Sequence, residues 1–465
     1  MDLKPKIGLE IHTEVKTKSK MFCSCPNLFS HEPNIFICPV CTGQPGALPT
    51  INRRAVELTL KLGKALGGKI NTLTYFVRKN YFYPDLPKNY QISQYELPLI
   101  EGGEVRFFLN GQENIVYLRR IHLEEDAGRL IHLNGLSLVD FNRAGAPLIE
   151  IVTQPCIETS DQAKAFAEEL ILILRYLDIS EANPEKGQIR FEANISVAEG
   201  SKLGTRVEVK NLNSLRALKE AIDYEINRQL QILNSGKEVI QETRGWDENK
   251  KITFSQRTKE EAEDYRYFPE PDLVPLEISD WLIEKEKTPF ELRQELMGKY
   301  NFSLEEIDVL IWHPWALNFF EKTISNLSSH LLKTAYNYLV TDIFALVDIY
   351  GENKIKPEEF RLLIKLLDQK QISSKIVKTI LQQVFRGKNF NEVLQEYQKI
   401  DDPQQIKEIL LQVIENFPQA KDDFLKGKNN AFEYLIGQAM KISQGKIDPQ
   451  KTREILLEIL QKQKS

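Results

Sequence analysis

Ile7-Gly8-Leu9-Glu10-Ile11-His12 decides how the first part of this chain folds. Its apolar residues recur with the period of an extended strand, so Ile7, Leu9 and Ile11 share one face while Glu10 and His12 point the other way. Four further stretches repeat the arrangement. Ile121 and Leu123 oppose His122, Glu124 and Asp126; Phe191, Ala193 and Ile195 oppose Arg190, Glu192, Asn194 and Ser196. Val207 and Val209 alternate with Arg206, Glu208 and Lys210, and Pro147-Leu148-Ile149-Glu150-Ile151-Val152 sets one carboxylate in an apolar strand. A single such strand needs no special account, because an antiparallel sheet often keeps one face wet. Five of them, with Glu and His recurring, describe either a solvated sheet face or a sheet whose polar side does chemistry. For the second reading, oxygen ligands with one imidazole suit Mg²⁺ or Mn²⁺, and Mg²⁺ usually accompanies a phosphate.

Composition bounds the rest. A chain of 465 residues suffices for roughly two to four domains, and 42% hydrophobic with 27% charged residues is a globular balance that excludes a disordered chain. No stretch approaches the ~20 apolar residues of a membrane span. Met1-Asp2-Leu3-Lys4-Pro5-Lys6 runs straight into the first strand, leaving no room for a signal or transit peptide. Four of the 5 cysteines fall between Cys23 and Cys41, which is no secreted disulfide framework. The expectation is a cytoplasmic protein with no membrane partner. The net charge is −5, yet from Phe424 onward 8 Lys or Arg face 4 Asp or Glu. Such a tail either touches phosphates or is an ordinary helical surface.

Glycine and proline divide the chain: 17 of 23 Gly and 16 of 21 Pro lie in residues 1–290. That part reads as strands, turns and a few helices. Beyond it the apolar period becomes helical, as in Ile376, Val377, Ile380, Leu381, Val384 and Phe385, with Ser373 or Ser374 as N-cap and Gly387 as a stop. Residues 406–417 and 448–460 read the same way, and Gln398-Lys-Ile-Asp-Asp-Pro403 marks a hinge. The expected fold class is α+β: a mostly antiparallel sheet domain over residues 1–290, an all-helical domain over 291–402 and a small helical tail over 403–465.

Cys23-Ser-Cys25 and Cys38-Pro-Val-Cys41 can place four sulfurs tetrahedrally in a loop-rich segment, which suits a structural Zn²⁺ with no open position for water. His31 between the pairs reads as a surface residue, and Cys156 as a small apolar side chain. Gly63-Lys-Ala-Leu-Gly-Gly68-Lys69 fits GxxxxGK, but Ile70 replaces the Ser or Thr that would hold Mg²⁺ and the run closes a helix instead of opening one. ATP, if bound, must therefore be held by the carboxylate face and its cations. The run from Arg78 to Gln91 reads as a loop stiffened by Pro84 and Pro87. Its lysines and tyrosines suit a phosphorylated substrate or a nucleotide end, and Tyr265-Arg-Tyr-Phe-Pro-Glu-Pro-Asp272 has the same character.

Ile7–His12, Arg78–Lys88, His122-Leu-Glu-Glu-Asp-Ala-Gly128, Gly204-Thr-Arg-Val-Glu-Val-Lys-Asn-Leu-Asn-Ser214, the run from Asp264 to Asp272 and Leu435-Ile-Gly-Gln-Ala-Met-Lys441 together resemble the signature runs of the B-subunit family of the aspartyl/glutamyl-tRNA amidotransferases. The resemblance extends from Ile7 to about Leu460. It implies a carbon–nitrogen ligase acting within a complex. In that family an amidase, the A subunit, releases ammonia from glutamine, and a small C subunit completes a heterotrimer. The B subunit uses ATP and Mg²⁺ to phosphorylate the side-chain carboxylate of misacylated Glu-tRNA(Gln) or Asp-tRNA(Asn), and ammonia then displaces phosphate. The resemblance implies a cradle-shaped first domain and a tail that reaches the transfer RNA. It also implies that Glu10, His12, Glu124 and Glu150 are the metal and ammonia-handling site, with Glu125, Glu208 and Lys210 as further catalytic candidates, and that Lys79, Tyr81 and Lys88 line the tunnel mouth or substrate pocket.

Gln188, Glu192, Gln154-Pro155-Cys156 and Gln256 depart from the family pattern, and the extra methylene of Glu192 relative to Asp puts a direct metal role at that position in question. A zinc-bearing RNA-binding protein without catalysis would leave Glu10, Glu124 and Glu150 unexplained. A free-standing ligase would need its own ammonia, and the chain carries no amidase-like Ser or Cys machinery.

Overall fold

The alternation around Glu10 runs through a strand of 12 residues, Leu3–Glu14, near the middle of a ten-stranded sheet in a computed structural model of the chain. On one side it pairs with Pro147–Thr153, which in turn pairs with Gln112–Glu125. On the other it pairs with Ile189–Glu199, followed by Val207–Leu212, Glu242–Asp247 and Ile252–Thr258. These neighbours are antiparallel except Val207–Leu212 with Glu242–Asp247, which is parallel. The structure describes residues 2–200, 202–258, 265–279, 281–397, 400, 402–443 and 446–462. They divide into two units, residues 1–307 and 308–465.

In the five alternating stretches the apolar residues face one way, except Leu148 and Val152, which share the parity of Glu150. Leu9, Ile11, Ile121, Leu123, Ile149, Ile151, Phe191, Ile195, Val207 and Val209 belong to one core with Phe166, Leu170, Leu218 and Ile222 of the helices Ser160–Tyr176 and Leu215–Asn234. At about 1.5–3 kcal/mol per large apolar side chain, burial on this scale sets the sheet's facing, and a slip of one residue would turn the polar set inward. Thr159 and Ser214 cap those helices, accepting from Gln162 N and Ala217 N. The run with a phosphate-loop spacing does close a helix: Arg53–Ala65 ends just before Gly67, whose φ is +69°. A Cβ at Gly63 or Gly68 would stand 2.1 or 2.4 Å from Ile100, so close packing accounts for both glycines.

The segment read as a loop is in part a sheet. Val77–Asn80 pairs with Tyr90–Ser93 and with Phe268–Pro269, so the second basic-aromatic run is the third strand of the first. Arg78 fastens the three, donating to both Glu270 carboxylate oxygens at 2.7 and 2.9 Å while its guanidinium lies 4.2 Å from the Tyr90 ring centre. Asp264 at the head of that run lies outside the described residues.

Helices make up the second unit as described, the sheet and helices together giving an α+β chain. Ser374–Phe385 is capped by Ser373, which accepts from Ile376 N. Pro403–Asn416, Asn429–Ile442 and Pro449–Lys462 share a core of their own built on Ile406, Leu410, Leu435, Ile447, Leu456 and Leu460. Gln398, Lys399 and Asp401 of the expected hinge lie outside the described residues. Among the described residues no helix is long and apolar enough to cross a membrane.

Candidate active site

Register across the sheet assembles the polar side chains. His12 stands opposite Glu150 on one side and Arg190 on the other, and Glu150 stands opposite His122. One row along, Glu10 faces Glu192, and Glu208 faces Asn194 in the next. The face lines a cleft of about 1060 Å³ that takes in Glu10, His12, Lys79, Tyr81, Glu124, Glu150, Glu208 and Lys210.

His12 Nε2 lies 3.5 Å from Glu124 Oε1 and 3.5 Å from Glu150 Oε2, and His122 Nε2 is 3.2 Å from the same Glu150 oxygen. Burial opposes a charge on His12, yet bonding to Glu150 and the fields of Glu150, Glu124 and Glu192 prevail and push its pKa up to about 9. Burial would raise Glu150 as well, but His122 and His12 hold it well below the usual carboxylate range. Glu10 behaves oppositely: burial first, then the neighbouring Glu150, Glu192 and Glu208, push its pKa up. Asn194 Nδ2 donates to Glu10 at 2.9 Å, and Lys210 spans Glu192 at 2.8 Å and Glu208 at 3.4 Å. Two donor sets result, His12–Glu124–Glu150 and Glu10–Glu192–Glu208, each with ligand atoms within 4.8 Å of one another. Carboxylate oxygens with one imidazole are hard donors that fit Mg²⁺ or Mn²⁺, the imidazolium proton giving way to the cation.

One wall of the cleft is basic and aromatic. Lys79 Nζ sits 5.6 Å from the Tyr81 ring centre and 5.0 Å from that of Tyr265. Burial works against the Lys79 charge, but the Glu124 and Glu150 carboxylates outweigh it and its pKa is raised. Two predicted residues are placed elsewhere. Lys88 Nζ donates to both Glu125 oxygens at 2.5 and 2.6 Å, Ile92 N donates to Glu125 at 2.8 Å, and neither Lys88 nor Glu125 lines the cleft. Glu125 shares the parity of Ile121 and Leu123, which turns it from the polar face. The alternation also marks His122, Asp126, Arg190 and Glu192, without singling them out as site residues. Asp126 is held by Arg143 and, at 2.9 Å, by Arg190. Arg120 stands two positions before His122 on the same face, outside the stretch that the alternation marks.

The four N-terminal cysteines form a second cluster, all Sγ atoms within 4.8 Å of one another and Cys38 Sγ 3.9 Å from Cys41 Sγ. A tetrahedron with Zn–S bonds of about 2.3 Å has edges near 3.8 Å, so the set fits one Zn²⁺. Cys38 N donates to Cys41 Sγ at 3.2 Å and the buried Lys20 ammonium lies 3.7 Å from the same sulfur. A hydrogen bond from Cys23, outweighing burial, brings Cys41 down to about 4, while that same bond and burial push Cys23 up and burial pushes Cys25 up to about 11, so Cys41 is the sulfur readiest to be a thiolate. His31 is exposed and Cys156 half-buried against the core.

Residues 5–284 match the family described as the GatB/GatE catalytic domain, and residues 318–460 match the GatB domain. The B subunit of the aspartyl/glutamyl-tRNA(Asn/Gln) amidotransferase of Caldicellulosiruptor bescii is 44% identical over 481 aligned positions, covering 99% of this chain and 100% of the relative. That of Caldicellulosiruptor saccharolyticus is 45% identical with the same coverage, and that of Moorella thermoacetica 42% over 478 positions, 99% of this chain and 100% of the relative.

Proposed function

This chain belongs to the B-subunit family of the aspartyl/glutamyl-tRNA amidotransferases, and from that premise we propose that its polar sheet face activates the side-chain carboxylate of a misacylated transfer RNA with ATP and passes it to ammonia. The observation that carries this reading is the convergence of His12, Glu124 and Glu150 with the caged Lys79 on one cleft.

The reaction runs in two displacements. A carboxylate oxygen of the Glu or Asp esterified to transfer RNA attacks the terminal phosphorus of ATP. The bond from that phosphorus to its bridging oxygen breaks, leaving ADP and an acyl phosphate. Ammonia nitrogen then attacks the acyl carbon, the carbon–oxygen bond to phosphate breaks, and nitrogen gives up one proton as the amide forms. Glu10 is suited to take that proton, since its raised pKa makes it a stronger base than an ordinary carboxylate. Lys79 offers an ammonium to the incoming carboxylate or phosphoryl oxygens, in a cleft whose charges are fixed before the substrate arrives. His12, Glu124 and Glu150 would hold Mg²⁺, which when bound neutralises phosphate charge. Lys210 keeps Glu192 and Glu208 from repelling one another. Glu125 and Lys88 act by holding the strand Tyr90–Ser93 against Gln112–Glu125.

Cys23, Cys25, Cys38 and Cys41 hold one structural Zn²⁺. The basic helical tail contacts transfer-RNA phosphates. The amidase (A) and the small C subunit complete the enzyme in the cytoplasm, the amidase supplying ammonia from glutamine. Co-expression with both partners tests the reading: the three should co-purify, and the complex should convert Glu-tRNA(Gln), Asp-tRNA(Asn) or both to the amidated forms with ATP consumed. A chain that purifies alone and leaves both transfer RNAs unchanged would overturn it.

A further inference from the structure

Two of the Lys and Arg side chains that line the cleft are neutralised. Arg190 is taken by Asp126, and Lys210 by Glu192 and Glu208. Among the described residues three cleft-lining cations have no carboxylate within ion-pair distance: Lys79, caged by two tyrosines, the exposed Arg206, and Arg120. Arg120 is the case that needs a cause, because carboxylates surround it. Its cross-strand neighbours are Val152, whose other neighbour is Glu10, and Glu101, which is engaged by Asn71 and Lys69.

What keeps Arg120 from collapsing onto an acid is a stack. Its guanidinium lies over the Tyr95 ring, 5.4 Å from the ring centre, and Tyr95 lies flat on Tyr267, centres 4.3 Å apart and planes 4° from parallel. One terminal nitrogen reaches only the Tyr95 carbonyl, at 3.4 Å, and the buried Nε has no hydrogen-bond partner. A planar donor fork laid on an aromatic face, with a desolvated N–H left over, is preorganised for a ligand that supplies two acceptor oxygens. The carboxylates that fit a cation occupy the same face within two strands, and in the reaction proposed above the ligand with oxygens enough to reach both Arg120 and such a cation is the phosphate chain of ATP.

We propose that Arg120, seated over the Tyr95–Tyr267 stack, binds the phosphate chain of the nucleoside triphosphate whose terminal phosphoryl group is transferred. Arg120 touches the phosphate; Tyr95 is a positioning residue that acts through it. The inference rests on the function proposed above and names the group that holds the phosphate donor.

The test uses the assembled complex, ammonium as nitrogen donor and saturating misacylated transfer RNA, with KM for ATP and for transfer RNA measured separately. Arg120→Gln should raise KM for ATP or lower kcat by about tenfold to a hundredfold, the loss expected of a charge-assisted hydrogen-bond pair. Arg120→Lys should recover part of this through charge without the fork. Tyr95→Leu should raise KM for ATP severalfold and leave KM for transfer RNA unchanged, and Tyr95→Phe, which keeps the ring under the guanidinium, should recover most of that loss. ATP kinetics within twofold of wild type in Arg120→Gln, or a shift confined to KM for transfer RNA, would overturn the assignment. Failure of the underlying function looks different: the wild-type complex would then cleave no ATP in response to misacylated transfer RNA.

Discussion

Glu270→Gln tests whether the Arg78 ion pair holds the aromatic wall in place. The Glu270 side chain is 0% exposed and Arg78 20%, and the bond between them is bidentate. In the variant an amide keeps one acceptor for Arg78, and the remaining carboxylate, Asp272, is 3.4 Å away and 40% exposed. Removing one charge of a buried pair costs about 3–5 kcal/mol, and the acceptor that survives puts this case near 3. The pair joins three short strands and not the central sheet, so the loss should appear as local opening. At 1.4 kcal/mol per factor of ten, hydrogen exchange in Val77–Asn80 and Tyr90–Ser93 should speed by roughly 150-fold. Exchange in Leu3–Glu14 should stay near wild type, serving as the internal control. Replacing both partners with apolar residues, Arg78→Met with Glu270→Leu, should restore most of the protection. Lys79 follows Arg78 directly and its cage includes Tyr265, so KM for substrate should rise along with the exchange rate. Exchange within threefold of wild type in both strands would refute the reasoning.

Purified protein should carry close to one equivalent of zinc by elemental analysis, and Cys38→Ser should loosen residues 20–45 to proteolysis while the central sheet keeps its protection; less than half an equivalent in wild type would count against the cysteine site. Asp126 is held below its ordinary pKa by Arg190 and Arg143 despite burial, so it contributes stability above the unfolded carboxylate value, near 4, that is lost as pH falls through the depressed folded value. Asp126→Asn should therefore lower stability at pH 7 and reduce the further loss on acidification, and parallel stability–pH curves for the two proteins would contradict this. Removing residues 403–465, which have a separate core, should raise KM for transfer RNA and flatten its salt dependence, with unchanged affinity as the opposing outcome.

The central sheet is legible in the sequence because its signal is local. Ile7, Leu9 and Ile11 announce both a strand and its buried side, and the same two-residue period recurs wherever the polar face is built. The site is less local. That His12 meets Glu150 and not another carboxylate depends on pairing between strands far apart in sequence, which no window of alternation contains. The Arg78–Gln91 run reads as a loop because its third strand, Phe268–Pro269, is short, proline-bearing and remote. Glu125 is instructive in the other direction: its parity with Leu123 already places it away from Glu124, and the adjacent carboxylates differ in role for that reason. Arg120 lies one alternation before the marked stretch, and its importance shows only once Tyr95 and Tyr267 are seen to stack.

The account stands or falls on ATP cleavage that depends on misacylated transfer RNA, measured in the assembled complex with ammonium as donor so that the amidase is bypassed. Glu124→Gln preserves shape but removes a charge 3.5 Å from His12, and His12→Ala removes the group shared by Glu124 and Glu150. Each should lower turnover by about a hundredfold or more while the complex assembles and binds transfer RNA normally. Near-normal turnover in both variants would show that the chemistry lies elsewhere than on this face.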